Sequence, residues 1–162
     1  RRSQFGIRAT ITEIFDLVRG YPRKASELAG KTRFLLHYQP ELGVMMTGRS
    51  HGAVFANQTM KLLAGQPRVY AILAGTPFWY HSVFGENSLV IRDNGVQPDA
   101  FQGGDFKTIL KANLHLPRSE PPQGGAIQIL KWYINMPGHE YTWQYPKIRS
   151  EIEQFLVRIS KN

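Results

Sequence analysis

The chain contains no cysteine, which excludes disulfide frameworks, cysteine-ligated zinc, iron–sulfur clusters and thiol nucleophiles. No apolar run approaches the roughly 20 residues a membrane-spanning helix needs. The start, Arg1-Arg2-Ser3, shows no signal peptide. Acidic residues are also scarce, with 12 Asp and Glu against 20 Lys and Arg, a formal charge of +8. What is present is enough for one ordinary core: 162 residues, 42% of them hydrophobic and 12% aromatic. Such a basic balance points to a polyanionic partner, nucleic acid first. The charge is dense near the start, where Arg1, Arg2, Arg8, Arg19, Arg23, Lys24, Lys31 and Arg33 face Glu13, Asp16 and Glu27.

Phe5 to Thr12 alternates apolar and polar residues and reads as a strand, although Ile11, Ile14, Phe15 and Val18 also fit a helix. Gly20-Tyr21-Pro22 marks a break. Thr32–Tyr38 and Gly43–Arg49 read as strands joined at Pro40 to Leu42, and Ala53–Leu63 as a third extended stretch. Pro67 and Gly75 bracket a short helix at 68–74. Leu89–Ile91 is a strand after the Gly85-Glu86-Asn87 turn, and 93–104 is loop. Phe106–Leu116, Ala126–Met136 and His139–Tyr145 read as strands, the last two joined at Pro137-Gly138. Ile148, Ile152, Phe155 and Ile159 put a helical face on 147–161. The sum is an α+β domain on antiparallel sheet, in which strands–helix–strands–helix suggests an internal duplication, roughly 1–75 and 76–162.

Three stretches carry a family resemblance. They are Leu42-Gly43-Val44-Met45-Met46-Thr47, Lys61-Leu62-Leu63-Ala64-Gly65-Gln66-Pro67 and the closing order of elements over 106–160. Together they resemble the Whirly family, whose plant members bind single-stranded DNA and whose kinetoplastid mitochondrial members bind guide RNA. The lysine-rich stretch of plant members is missing; its nearest counterpart here is Phe5-Gly6-Ile7-Arg8-Ala9-Thr10, so the chain looks more like the guide-RNA branch. The resemblance implies two four-stranded antiparallel sheets, each followed by a helix (ββββα twice). It also implies a mitochondrial heterotetramer with a related subunit, which anneals guide RNA to pre-edited messenger RNA in RNA editing.

Pleat parity would set Lys107, Lys111 and His115 on one strand face, Lys131 with Tyr133 on another, and Arg33 with His37 on an early one. With Arg8 and Lys61 these form the expected RNA-binding set, tracking phosphates without reading bases, and Tyr133 is the residue placed to stack on one. Ordinary polar outer faces are the plainer explanation of any one of them. The other aromatics, Phe78, Trp79 and Tyr80 among them, read mostly as core or subunit contact. The expectation is a binding protein without catalysis, cofactor or metal, with a single-stranded-DNA-binding factor as the alternative. An enzyme reading, a metal-dependent nuclease, rests on Pro98-Asp99 followed by Asp105-Phe106-Lys107, although only a short glycine-rich loop separates the two carboxylates. His37, His51, His81, His115 and His139 show no zinc-ligand spacing.

Overall fold

A computed structural model describes residue 16 and residues 19–80, 85–114 and 135–161. After a left-handed turn at Gly20 and Tyr21, Pro22 opens α1 (Pro22–Tyr38). Then follow β1 (Val44–Arg49), α2 (His51–Leu62), β2 (Val69–Ala74), β3 (Ser88–Ile91), the single turn α3 (Ala100–Gly103), α4 (Phe106–Leu114) and α5 (Pro146–Ile159). The three described strands form one parallel sheet in the order β1-β2-β3, with Val44 opposite Val69 and Ala71 opposite Ser88.

The sheet is covered on both faces, as parallel sheets require. Val69, Ala71 and Leu73 of β2 point to one side and pack with Met46, with Ala53, Ala56 and Leu63 in or just after α2, and with Ala29 of α1. Their alternates Ile72 and Ala74 point to the other, where Ile91 and the Ile148 and Ile152 face of α5 close a second cluster. Fully burying each larger side chain, such as Leu73 or Ile91, contributes about 1.5–3 kcal/mol.

This architecture overturns the expected two four-stranded antiparallel sheets. Residues 32–38 are the end of α1 and 53–62 belong to α2, so the early hairpin does not exist. The buried residues of α1 are the small Ala25, Ala29 and Thr32, which let α2 approach closely but give a weak apolar signal. Residues 69–74, expected as a helix, are the central strand; apolar on both faces, β2 shows no period to read. Phe106–Leu114 is helical, with Asp105 accepting from the Thr108 backbone N–H (3.0 Å) and hydroxyl (2.6 Å) to start it. Residues 139–145 contain no strand. The break at 20–22, strands 44–49 and 88–91, the 137–138 turn and the last helix stand as expected. The strand expected at 5–12 and nearly all of the one at 126–136 lie outside the described residues.

Candidate active site

The sharpest local feature of the backbone is at Ser50. β1 ends at Arg49 and α2 begins at His51, so a single residue makes the whole turn from strand to helix. Ser50 does so at φ 54°, ψ −116°. Only Ser50 and Tyr21 among the described non-glycine residues have positive φ, and such a conformation costs about 1–3 kcal/mol. Three contacts hold it. The Ser50 N–H donates to the Ala74 carbonyl (2.9 Å), and the Ser50 carbonyl accepts from the N–H groups of Ala53 (3.0 Å) and Val54 (3.2 Å). Gly48 lies directly against the first turn of α2: a Cβ there would overlap the Gly52 carbonyl and stand 2.6 Å from the Ala53 nitrogen. The Ser50 hydroxyl does not cap α2.

A second construction stands at the same edge of the sheet. Asp99 ends the loop after β3 and caps α3, its Oδ1 accepting from the N–H groups of Phe101 (2.9 Å) and Gln102 (3.0 Å). Its Oδ2 takes the Tyr141 hydroxyl at 2.5 Å and lies 2.7 Å from His139 Nδ1. The carboxylate is wholly buried and His139 nearly so. Burial opposes ionisation of Asp99, but it is outweighed by the hydrogen bonds from His139, Tyr141 and the Gln102 backbone, and its pKa falls below the ordinary carboxylate value. Burial, and then the bond to Asp99, push the Tyr141 phenol up. An ionised carboxylate can only accept, so His139 Nδ1 carries the proton, and in the neutral ring Nε2 keeps its lone pair.

The loops of Asp99 and His139 are fastened backbone to backbone. The Ala100 N–H donates to the Pro137 carbonyl (2.9 Å). Gly138, at φ 78°, sits so tightly on Pro98 that a Cβ would overlap the Pro98 carbonyl oxygen. The His139 ring in turn lies over Gly75, whose added Cβ would be 2.7 Å from the ring Cε1. Gly75 directly follows Ala74, the residue whose carbonyl holds the Ser50 N–H. The Ser50 turn and the carboxylate-oriented imidazole therefore both adjoin the carboxyl end of β2, the edge at which open α/β sheets bind ligands. A cleft of about 470 Å³ opens beside Asp99, lined by Thr76, Phe78, Tyr80, Arg92 and Gln102 among others.

The residues expected to bind RNA are distributed differently. Arg33 on α1 donates to the carbonyl of Leu62, next to Lys61, whose ammonium stands 5.1 Å from the Tyr80 ring centre; His37 is one turn along α1 from Arg33. Lys107 and Lys111 lie on exposed positions of α4, not on a strand face. Arg8, His115, Lys131 and Tyr133 lie outside the described residues. Of the two nuclease carboxylates, Asp99 holds His139 and Asp105 starts α4.

Of these residues the sequence makes only Ser50 legible. Gly48-Arg49-Ser50-His51-Gly52 has the form G-x-S-x-G after a short apolar run, the sequence form of a strand-to-helix nucleophile turn. In sequence Asp99 resembles only a metal ligand, and His139 stands outside any zinc-ligand spacing. Comparisons with family models, curated proteins and solved structures found no match to this chain.

Proposed function

We propose that this chain is a serine hydrolase that cleaves acyl compounds, with Ser50 as nucleophile, His139 as general base and acid, and Asp99 as the group that orients the imidazole. The observation that carries this reading is the strained Ser50 turn, braced by Gly48 and tied through its N–H to Ala74, whose neighbour Gly75 lies under the ring of the buried Asp99–His139 pair. The chain order Ser, Asp, His is that of α/β-hydrolases. This reading replaces the expected non-catalytic binding protein.

The chemistry follows from the atoms. Ser50 Oγ attacks the acyl carbonyl carbon as its proton passes to His139 Nε2. Asp99 keeps Nδ1 protonated and stabilises the imidazolium that forms. The developing oxyanion belongs at the N-terminus of α2, where the backbone N–H following the nucleophile is that of His51. Collapse breaks the bond to the leaving group, which takes the proton from Nε2, and the acyl group remains on Ser50. Water then attacks that ester, giving its proton to Nε2, and Ser50 leaves with the proton returned.

A fluorophosphonate probe tests the reading. It is expected to add one phosphonyl group to the folded chain, located on Ser50 by mass spectrometry. Ser50→Ala and His139→Ala should abolish labelling, and hydrolysis of 4-nitrophenyl acetate should fall by roughly 10³–10⁶-fold. Absence of both labelling and hydrolysis in the folded wild-type chain would overturn it.

A further inference from the structure

A row of rings leads away from the His139 imidazole. Phe101 stands 5.4 Å from it, Trp79 stands 5.4 Å from Phe101, Phe78 stands 4.9 Å from Trp79 and Phe106 stands 5.1 Å from Phe78, each pair edge to face. Phe106 opens α4, and that helix is turned unusually. Its half-buried side carries Thr108, Ile109, Ala112 and Asn113, while Phe106, Leu110 and Leu114, spaced four residues apart, are 61%, 62% and 67% exposed. A helix normally hides its larger apolar side chains. Here they face outward and continue a path of rings whose inner end touches the imidazole. Gly104 keeps the two in contact: its backbone passes so close to Phe78 that an added Cβ would stand 3.3 Å from the ring.

We infer that this row of rings and the α4 stripe bind the aliphatic chain of the acyl group, so that the substrates are esters of medium- to long-chain fatty acids. The inference rests on the Ser50–His139–Asp99 reading and adds the substrate class to it. From Phe101 through Trp79 and Phe78 to Phe106 the row is made of aromatic rings in contact, an apolar path that suits an alkyl chain. Its inner end lies against the base, which makes the occupant part of the molecule being cleaved. The outward stripe lets chains longer than the ring row remain in apolar contact.

The test is a series of 4-nitrophenyl esters, from acetate through butyrate and octanoate to dodecanoate, on the full chain. The ratio kcat/KM should rise by up to about fourfold per methylene until the chain passes α4. The double variant Leu110→Ser with Leu114→Ser should lower the octanoate-to-acetate ratio of kcat/KM by at least about tenfold, with an unchanged thermal midpoint. A flat series in a wild-type chain that is labelled at Ser50 overturns the substrate class and leaves the hydrolase reading standing. A ratio unaffected by the double variant overturns it too, and so does a midpoint lowered by several degrees, which would show that the chain itself packs on the stripe. No labelling and no turnover of any ester would instead remove the hydrolase reading.

Discussion

Ser50 sits where a glycine would be comfortable, at φ 54° and ψ −116°. A side chain kept in such a conformation is maintained by the surrounding contacts against a cost of about 1–3 kcal/mol. Glycine ordinarily destabilises by roughly 0.5–1 kcal/mol relative to alanine because of its larger unfolded-state freedom. At this position the order should reverse. Ser50→Gly is expected to be more stable than Ser50→Ala by about 1–2 kcal/mol in urea unfolding, both being inactive. An alanine variant as stable as the glycine one would mean that the turn is relaxed. Tyr141 gives a second test. Its hydroxyl shares Asp99 Oδ2 with His139 and helps to hold that carboxyl below its ordinary pKa. A depressed folded-state pKa contributes stability that is present above the unfolded value, near 3.9, and is lost as pH falls through the folded value. Tyr141→Phe raises the folded pKa towards the unfolded one, so part of that contribution disappears. The wild type should exceed the variant by about 1–2 kcal/mol at pH 5 to 7, and this gap should shrink as Asp99 is protonated in both. A gap constant down to pH 2 would show that Tyr141 acts through packing and its bond to the Arg92 carbonyl, not through Asp99.

Among the elements, the passage β1–Ser50–α2 divides its two glycines into different roles. A Cβ at Gly48 would overlap the Gly52 carbonyl, whereas one at Gly52 meets nothing within 4 Å. Gly48→Ala is therefore expected to push α2 away from β1, costing roughly 2–4 kcal/mol and abolishing fluorophosphonate labelling. Gly52→Ala, inside a helix, should instead add about 0.5–1 kcal/mol. Equal melting temperatures for the two variants would contradict the geometry at the turn. The same elements explain what could be read in advance. α5 was legible because Ile148 and Phe155 are both its periodic apolar residues and its buried ones. α1 was not, since its buried side is alanine and threonine while Phe34 and Leu35 lie outside. α4 misled for a related reason: its apolar stripe faces outward, so no buried face supported the helix. Ser50 could have been found from five consecutive residues. Its pairing with Asp99 and His139 could not, because those two are 40 residues apart and meet only once β3 and the 137–138 turn are in place.

For the molecule as a whole, strand direction matters more than strand number. In a parallel sheet every strand delivers its following loop to the same edge, which is how residues 50 and 99, after β1 and β3, come to the end where Gly75 follows β2; His139 is held there by the Ala100–Pro137 hydrogen bond and by Asp99. The antiparallel arrangement expected from the sequence would instead have spread cations over a sheet face. The net charge of +8 remains, whatever the arrangement of the strands. Among the described residues of the expected set the cations stand in separate groups: Arg33 and Lys61 where α1 meets the end of α2, and Lys107 and Lys111 on α4. Such charge supports sequence-indifferent RNA binding with a Kd of about 10⁻⁴–10⁻⁶ M at physiological salt. Lys107→Glu with Lys111→Glu takes the formal charge from +8 to +4, since each change removes two units. Measured by fluorescence anisotropy on a single-stranded RNA, the double reversal should weaken binding by no more than about tenfold, with hydrolysis of 4-nitrophenyl acetate unchanged. A nanomolar affinity in the wild type, steep in salt and lost on reversal, would make α4 a phosphate-binding element and return nucleic acid to the centre of this protein's function.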